Sequence, residues 1–155
     1  MDTLTITLQR RNILSDMMVR SHAEVAYIID DRERYVAELG TEKAQLAQQC
    51  ITDAATEVRS AFRDVIPGFS DALSAGDNYD TSDIVFAMAV SARKRPGLAD
   101  SLAKAIHAYI VDSALGRYYG SVSRPDLAKS HLDRLQADLS VISGLVYRKL
   151  DPTYQ

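Results

Sequence analysis

Hydrophobic positions recur along this 155-residue chain at two different spacings. Thr3 to Leu8 alternates strictly, with Leu4, Ile6 and Leu8 on one side and Thr3, Thr5 and Thr7 on the other. With β-branched residues throughout, this pattern predicts a short strand. A lone strand leaves its backbone groups to water, and the internal candidates to pair with it are weak. Residues 1–8 are therefore expected to be an extended arm that either pairs with another subunit or frays as a terminus.

From Gln9 the period becomes helical. Ile13, Met17, Arg20-Ser21, Glu24-Val25, Ile28 and Arg32 follow 3–4 spacing, widened by Leu14, Met18 and Ile29, and the charged, solvated stretch Asp30–Arg34 is a candidate interruption of the helix. Leu39-Gly40 followed by Thr41-Glu42 reads as a helix stop and restart, with glycine past the end and threonine as the next cap. A second helix is expected from about Glu42 to Ile66, with Leu46, Cys50, Ala54, Val58, Phe62 and Val65 in register, ended by Pro67-Gly68. Residues 67–82 form a long central loop with Phe69, Leu73 and Tyr79 as apolar points, and loops of this length are often functional or interfacial.

Asp83 to Ala92 is apolar nearly all round. It is read as a buried helix, with a buried strand as the alternative, because periodicity alone does not separate the two. A further helix covers Gly97 to Tyr119, with Leu98, Leu102, Ala105, Ile106, Tyr109 and Ser113 on one face. Gly116 and Gly120 there suggest a close approach or a C-terminal cap. The last helix starts near Ser123, with Pro125 in its first turn. Ala128, Leu132, Leu135, Leu139, Ile142, Val146 and Leu150 make a heptad seam along it. The fold class expected is all-α: one domain over 1–155, a helical bundle of about five helices with a short N-terminal arm and a long central loop.

Composition narrows the function classes. A hydrophobic fraction of 46% with 25% charged residues fits an ordinary globular domain large enough for a real core. A net charge of −3 argues against a general nucleic-acid binder. Arg93-Lys94-Arg95 is the one tight basic run, and its position before Pro96 suits a helix C-terminus. The single cysteine, Cys50, excludes an internal disulfide and lies on an apolar helical face without a neighbouring base. With no signal-like N-terminus and no apolar run long enough to span a bilayer, the expectation is a soluble protein made in the cytoplasm, with no membrane partner.

Catalytic chemistry is hard to find. His22, His107 and His131 are scattered, with no HExxH or Cys/His cluster. Asp77, Asp80 and Asp83 lack the spacing of a calcium loop and suit helix capping better. There is no phosphate loop and no nucleophile elbow. His107, Tyr109 and Asp112 come nearest to a constellation, but on one helix they do not converge. The chain is therefore read as no enzyme, with no catalytic, cofactor or metal residues assigned.

Eight tyrosines outnumber three phenylalanines and no tryptophan, and tyrosine suits partly wet interfaces. Tyr118, Tyr119, Tyr147 and Tyr154 are candidate partner contacts, together with Leu4, Ile6 and Leu8 of the arm and Phe69, Leu73 and Tyr79 of the loop.

The stretch Ala105–Tyr119, then Ser123-Arg-Pro-Asp-Leu-Ala, then Leu132 to Leu150 ending in a basic, proline-terminated tail, resembles the small helical head–tail connector (adaptor) proteins of tailed bacteriophages. The resemblance covers the C-terminal 45 or so residues best, and the long N-terminal pair of helices departs from it. It implies a structural protein of the virion neck. Copies would form a ring, commonly twelvefold, beneath the portal protein, touching tail or other neck proteins, with DNA only as cargo through the channel. The arm and the 67–82 loop would then be inter-subunit contacts. Two other readings stay open: a host-encoded, non-catalytic helical-bundle module for protein–protein interaction, and a small enzyme whose site is completed across subunits.

Overall fold

The computed structural model describes residues 2–66, 83–90 and 97–147. The long-loop reading of 67–82, with Phe69, Leu73 and Tyr79, lies outside the described residues, as does Tyr154. The chain is mostly helical with one two-stranded sheet. In order come strand β1 (Asp2–Leu8), helices α1 (Arg10–Glu24), α2 (Asp31–Ala37) and α3 (Ala44–Ala61), strand β2 (Ile84–Val90), and helices α4 (Leu98–Ser121), α5 (Pro125–Leu132) and α6 (Leu135–Tyr147). Short 3₁₀ turns at Thr41–Lys43 and Arg63–Val65 flank α3. No helix among the described residues is long and apolar enough to cross a membrane.

Two expectations are corrected by the sheet. The stretch after Asp83 is a strand, not a helix, and the N-terminal arm pairs with it inside the chain. The two run antiparallel, with Leu4 opposite Met88, Ile6 opposite Phe86 and Leu8 opposite Ile84. Seven residues rich in Ile, Val and Phe suit a strand, and alternate side chains Ile84, Phe86, Met88 and Val90 are buried. The positions between them are half-covered or, at Val85, exposed. A strand apolar on both faces therefore mimics a buried helix in sequence.

Helix α4 is the axis. Fourteen of its 24 residues are buried, because α1, α3, α5, α6 and β1 all pack against it. Its C-terminus is closed not by Gly120 but by Ser123, which adopts φ 61°. The amides of Ser123 and Arg124 return to the carbonyls of Gly120 and Tyr119, at 3.3 and 2.9 Å, in the pattern usually built on glycine. Gly116 does permit a close approach: a Cβ there would stand 2.8 Å from Leu132 Cδ2 on α5.

The single long C-terminal helix is corrected to two, α5 and α6, which break at Asp133-Arg134. The heptad seam is followed only in part. Ala128, Ile142 and Val146 are buried, but Leu132 is exposed and His131 takes the inward position. The reason is polar: His131 reaches carboxylates on two other helices.

Candidate functional site

Three polar hubs tie the helices together, and they differ in how far water reaches them. The deepest is His131, whose side chain has 0% exposure. Its Nδ1 lies 2.8 Å from Asp112 Oδ1 on α4, and its Nε2 lies 2.7 Å from Glu24 Oε2 at the end of α1. The Nε2 contact is ionic rather than an aligned hydrogen bond. Tyr119 stacks on the imidazole, centroids 5.9 Å apart, and donates its hydroxyl to Glu24 Oε1 at 2.9 Å. Arg134, in the turn between α5 and α6, lies 3.6 Å from Asp112 Oδ1.

The electrostatics follow from this packing. Burial alone would lower the His131 pKa, but the hydrogen bonds and charges of Asp112 and Glu24 outweigh it and raise the value above the ordinary 6.5. Burial works to raise Asp112 and Glu24 as well, and His131 with its neighbours holds both below the usual carboxylate range. Asp138 on α6 goes the other way. Burial first, then the hydrogen bond and charge of Asp112, push it up to about 7.

The second hub is Lys43, at the end of the 3₁₀ turn before α3. Its ammonium donates to the carbonyls of Tyr35, Val36 and Glu38 at 2.9, 2.7 and 2.8 Å, and so caps the C-terminus of α2. It also approaches Tyr118 Oη at 3.1 Å, and that hydroxyl donates to Glu38 O at 2.7 Å. Partial burial lowers the lysine pKa.

The third hub, Glu57 on α3, is the most open. It accepts from Tyr109 at 2.5 Å and from Ser113 at 3.3 Å, and pairs with Arg117; all three donors stand on one stripe of α4. Glu57, Tyr109 and Arg117, with Asp53, Thr56 and Ser60, border a shallow depression of about 540 Å³. Every polar group named at this rim except Asp53, Thr56 and Ser60 is already paired within the cluster, which makes it a brace between α3 and α4.

The candidate partner residues are scattered by the fold. Ile6 and Leu8 are buried in the sheet and Leu4 is half-buried. Tyr118 and Tyr119 are fully enclosed, their hydroxyls held by Glu38 and Glu24, so their surface is used inside the chain. Tyr147 is 44% exposed, packs on Phe62 and donates to Asp64 at 2.7 Å. The His107, Tyr109 and Asp112 group diverges: His107 meets Asp16, Tyr109 meets Glu57, and Asp112 meets His131. Burial pushes the Cys50 thiol up to about 11, which leaves it protonated and a poor nucleophile near neutral pH. Among the described residues no three His, Cys, Asp or Glu side chains are grouped to hold a metal ion.

Sequence reasoning passed over the exposed apolar side chains early in the chain. Val19, Tyr27, Ile29, Tyr35 and Val36 are all exposed, Ile29 at 96%. The signal available was Ile28-Ile29, two adjacent isoleucines in the connection between α1 and α2, of which Ile28 is buried and Ile29 is not. Compared with known proteins, the chain matches no family model, no curated protein and no solved structure.

Proposed function

We propose that the chain is a non-catalytic structural protein of a tailed-phage virion, a head–tail connector whose copies form a ring beneath the portal and join capsid to tail. One observation carries the interaction part of this reading. Of the nine large hydrophobic side chains exposed among the described residues, five lie between Val19 and Val36. Exposed apolar side chains gathered on one stretch suit a protein that works by contact. The polar hubs, by contrast, are closed on themselves, which suits bracing more than turnover. The connector identity itself rests on the resemblance of residues 105–150.

In this reading the partners are further copies of the chain, the portal protein, and tail or neck proteins; DNA passes through as cargo. The chain is made in the bacterial host cytoplasm and resides in the virion neck. Tyr147 and Val141 of α6, both exposed, add to the contact surface.

Native mass spectrometry and light scattering of the purified chain, alone and mixed with a portal protein, test the proposal. A closed ring, or monomers that assemble only on the portal, is the expected result. Ile29→Glu should abolish that assembly while leaving the far-ultraviolet circular dichroism unchanged. A chain that stays monomeric or dimeric and ignores the portal overturns the connector reading and leaves a helical interaction module.

A further inference from the structure

His131 is enclosed, and each of its ring nitrogens faces a carboxylate oxygen within 2.8 Å. A neutral imidazole has one N–H and one lone pair, so one of those anions would face a lone pair across a contact distance. An imidazolium donates Nδ1–H to Asp112 and sets its positive charge against Glu24 as well. We propose that His131 is a proton-operated latch: charged, it clamps α5 and the start of α6 to α1 and α4, and its deprotonation loosens those two helices as a unit.

The groups facing the latch come from every helix around it. Helix α1 supplies Glu24 and, more remotely, Arg20, whose charge acts on Asp138. Helix α4 supplies Asp112 and Tyr119. Arg134 stands in the α5–α6 turn, and Asp138 on α6 feels the charge of Asp112. Lys129 and Asp133, on and just beyond α5, pair with each other at 2.7 Å on the surface.

Loosening is local because the apolar attachment of α5 and α6 is largely partial. The two helices fully bury only Ala128, His131, Ile142 and Val146, with Leu127, Leu135, Leu139 and Leu145 half-covered against the core, while α4 buries fourteen residues. Segments with few buried apolar contacts open below the global unfolding free energy. A proton lost from His131 leaves Glu24 and Asp112 with only the half-exposed Arg134 as counter-charge inside that attachment.

The direction with pH follows from the shifts. The raised His131 value means the folded state holds the proton more tightly. Its stabilisation is complete below the ordinary 6.5 and is lost as pH rises through the folded value. Asp138 acts in the same sense and earlier, losing its contribution as pH rises from 3.8 towards about 7. Asp112 and Glu24, both lowered, oppose this only in acid, where protonating them removes the anions His131 needs.

The test uses the full chain with His22→Gln and His107→Gln, which leaves His131 as the one histidine. In ¹⁵N-histidine NMR the ring should titrate with a midpoint above the free-histidine value, both ring nitrogens being protonated below it. Amide protection, corrected for intrinsic exchange, should fall about tenfold or more in α5 and α6 as pH rises through that midpoint, while α3 and α4 change little. Asp138→Asn should leave that alkaline step in place, and His131→Gln should remove it. A midpoint at or below the free value, or protection that is flat or falls equally in all helices, overturns the proposal. The NMR result decides it even where His131→Gln fails to fold.

Discussion

His131 and Glu57 do the same job on two sides of α4 and do it under different conditions. Each is an ionisable side chain that collects partners from a neighbouring helix, but His131 has no exposure and Glu57 keeps 30% of its side chain in water. The Coulomb attraction between unit charges is several-fold larger where water is excluded, and so is the cost of leaving one charge alone. Two clusters of similar composition should therefore answer differently to the same kind of substitution. Solvent access, more than the number of partners, sets what each is worth. Lys43 lies between them, half-buried over the end of α2.

The largest effect is expected at the sealed hub. Asp112→Ala removes the 2.8 Å partner of His131 and leaves the imidazolium facing Glu24 alone. Breaking a buried pair in this way costs about 3–5 kcal/mol, which urea unfolding should register as a lower midpoint at an unchanged slope. Because the site is closed, adding salt should leave that difference nearly intact. A cost under about 1 kcal/mol would place the two hubs in one class and remove the contrast.

Lys43→Ala comes next, at about 1–2 kcal/mol, since a charged donor to three carbonyls is lost while water can reach part of the vacated end. The loss should be uneven. Amides of α2 should exchange faster, because Lys43 covers the carbonyls of Tyr35, Val36 and Glu38, while those of α5 keep their protection. A uniform change over both regions would mean that the ammonium supports the whole core and not one helix end. Glu57→Ala is expected to cost less, about 1 kcal/mol, and to shrink as salt is raised.

How much of this was legible in the sequence depends on how far apart the cooperating residues lie. The strand at Leu4, Ile6 and Leu8 declares itself by alternation over six residues, and the faces of α3 and α4 by their 3–4 spacing. The strand at Ile84–Val90 does not, because a run apolar on both faces shows no alternation in sequence even though its burial alternates. The hubs were harder still. Glu57 and Ser113 are 56 residues apart and Glu24 and Tyr119 are 95 apart, and no local period links such pairs. One trace was present: His131 and Asp138 each sit one residue before the seam's Leu132 and Leu139, and with Leu135 and Ile142 of the seam they keep a 4–3–4 spacing. A seam with a histidine and an aspartate in it reads as surface until Asp112 is known to face it.

The smallest effect concerns the apolar edge of the sealed side, where Gly116 meets Leu132. A methyl at 116 would stand 2.8 Å from Leu132 Cδ2 and 3.1 Å from its Cγ, tighter than side chains pack. Leu132 is 47% exposed, so it has solvent to swing into. Two terms then oppose each other in Gly116→Ala: up to about 1 kcal/mol gained from the helix preference for alanine, and a similar amount lost in displacing the leucine. The single variant should change stability by less than about 0.5 kcal/mol. In a Leu132→Ala background the obstacle is gone, and the same substitution should add about 0.5–1 kcal/mol. The coupling between the two sites, read from the four-member cycle, is the sign that α5 rests on α4 through this notch as well as through His131. Additive effects would instead mean that α5 is already free to shift there, and the charged hub alone would carry the attachment.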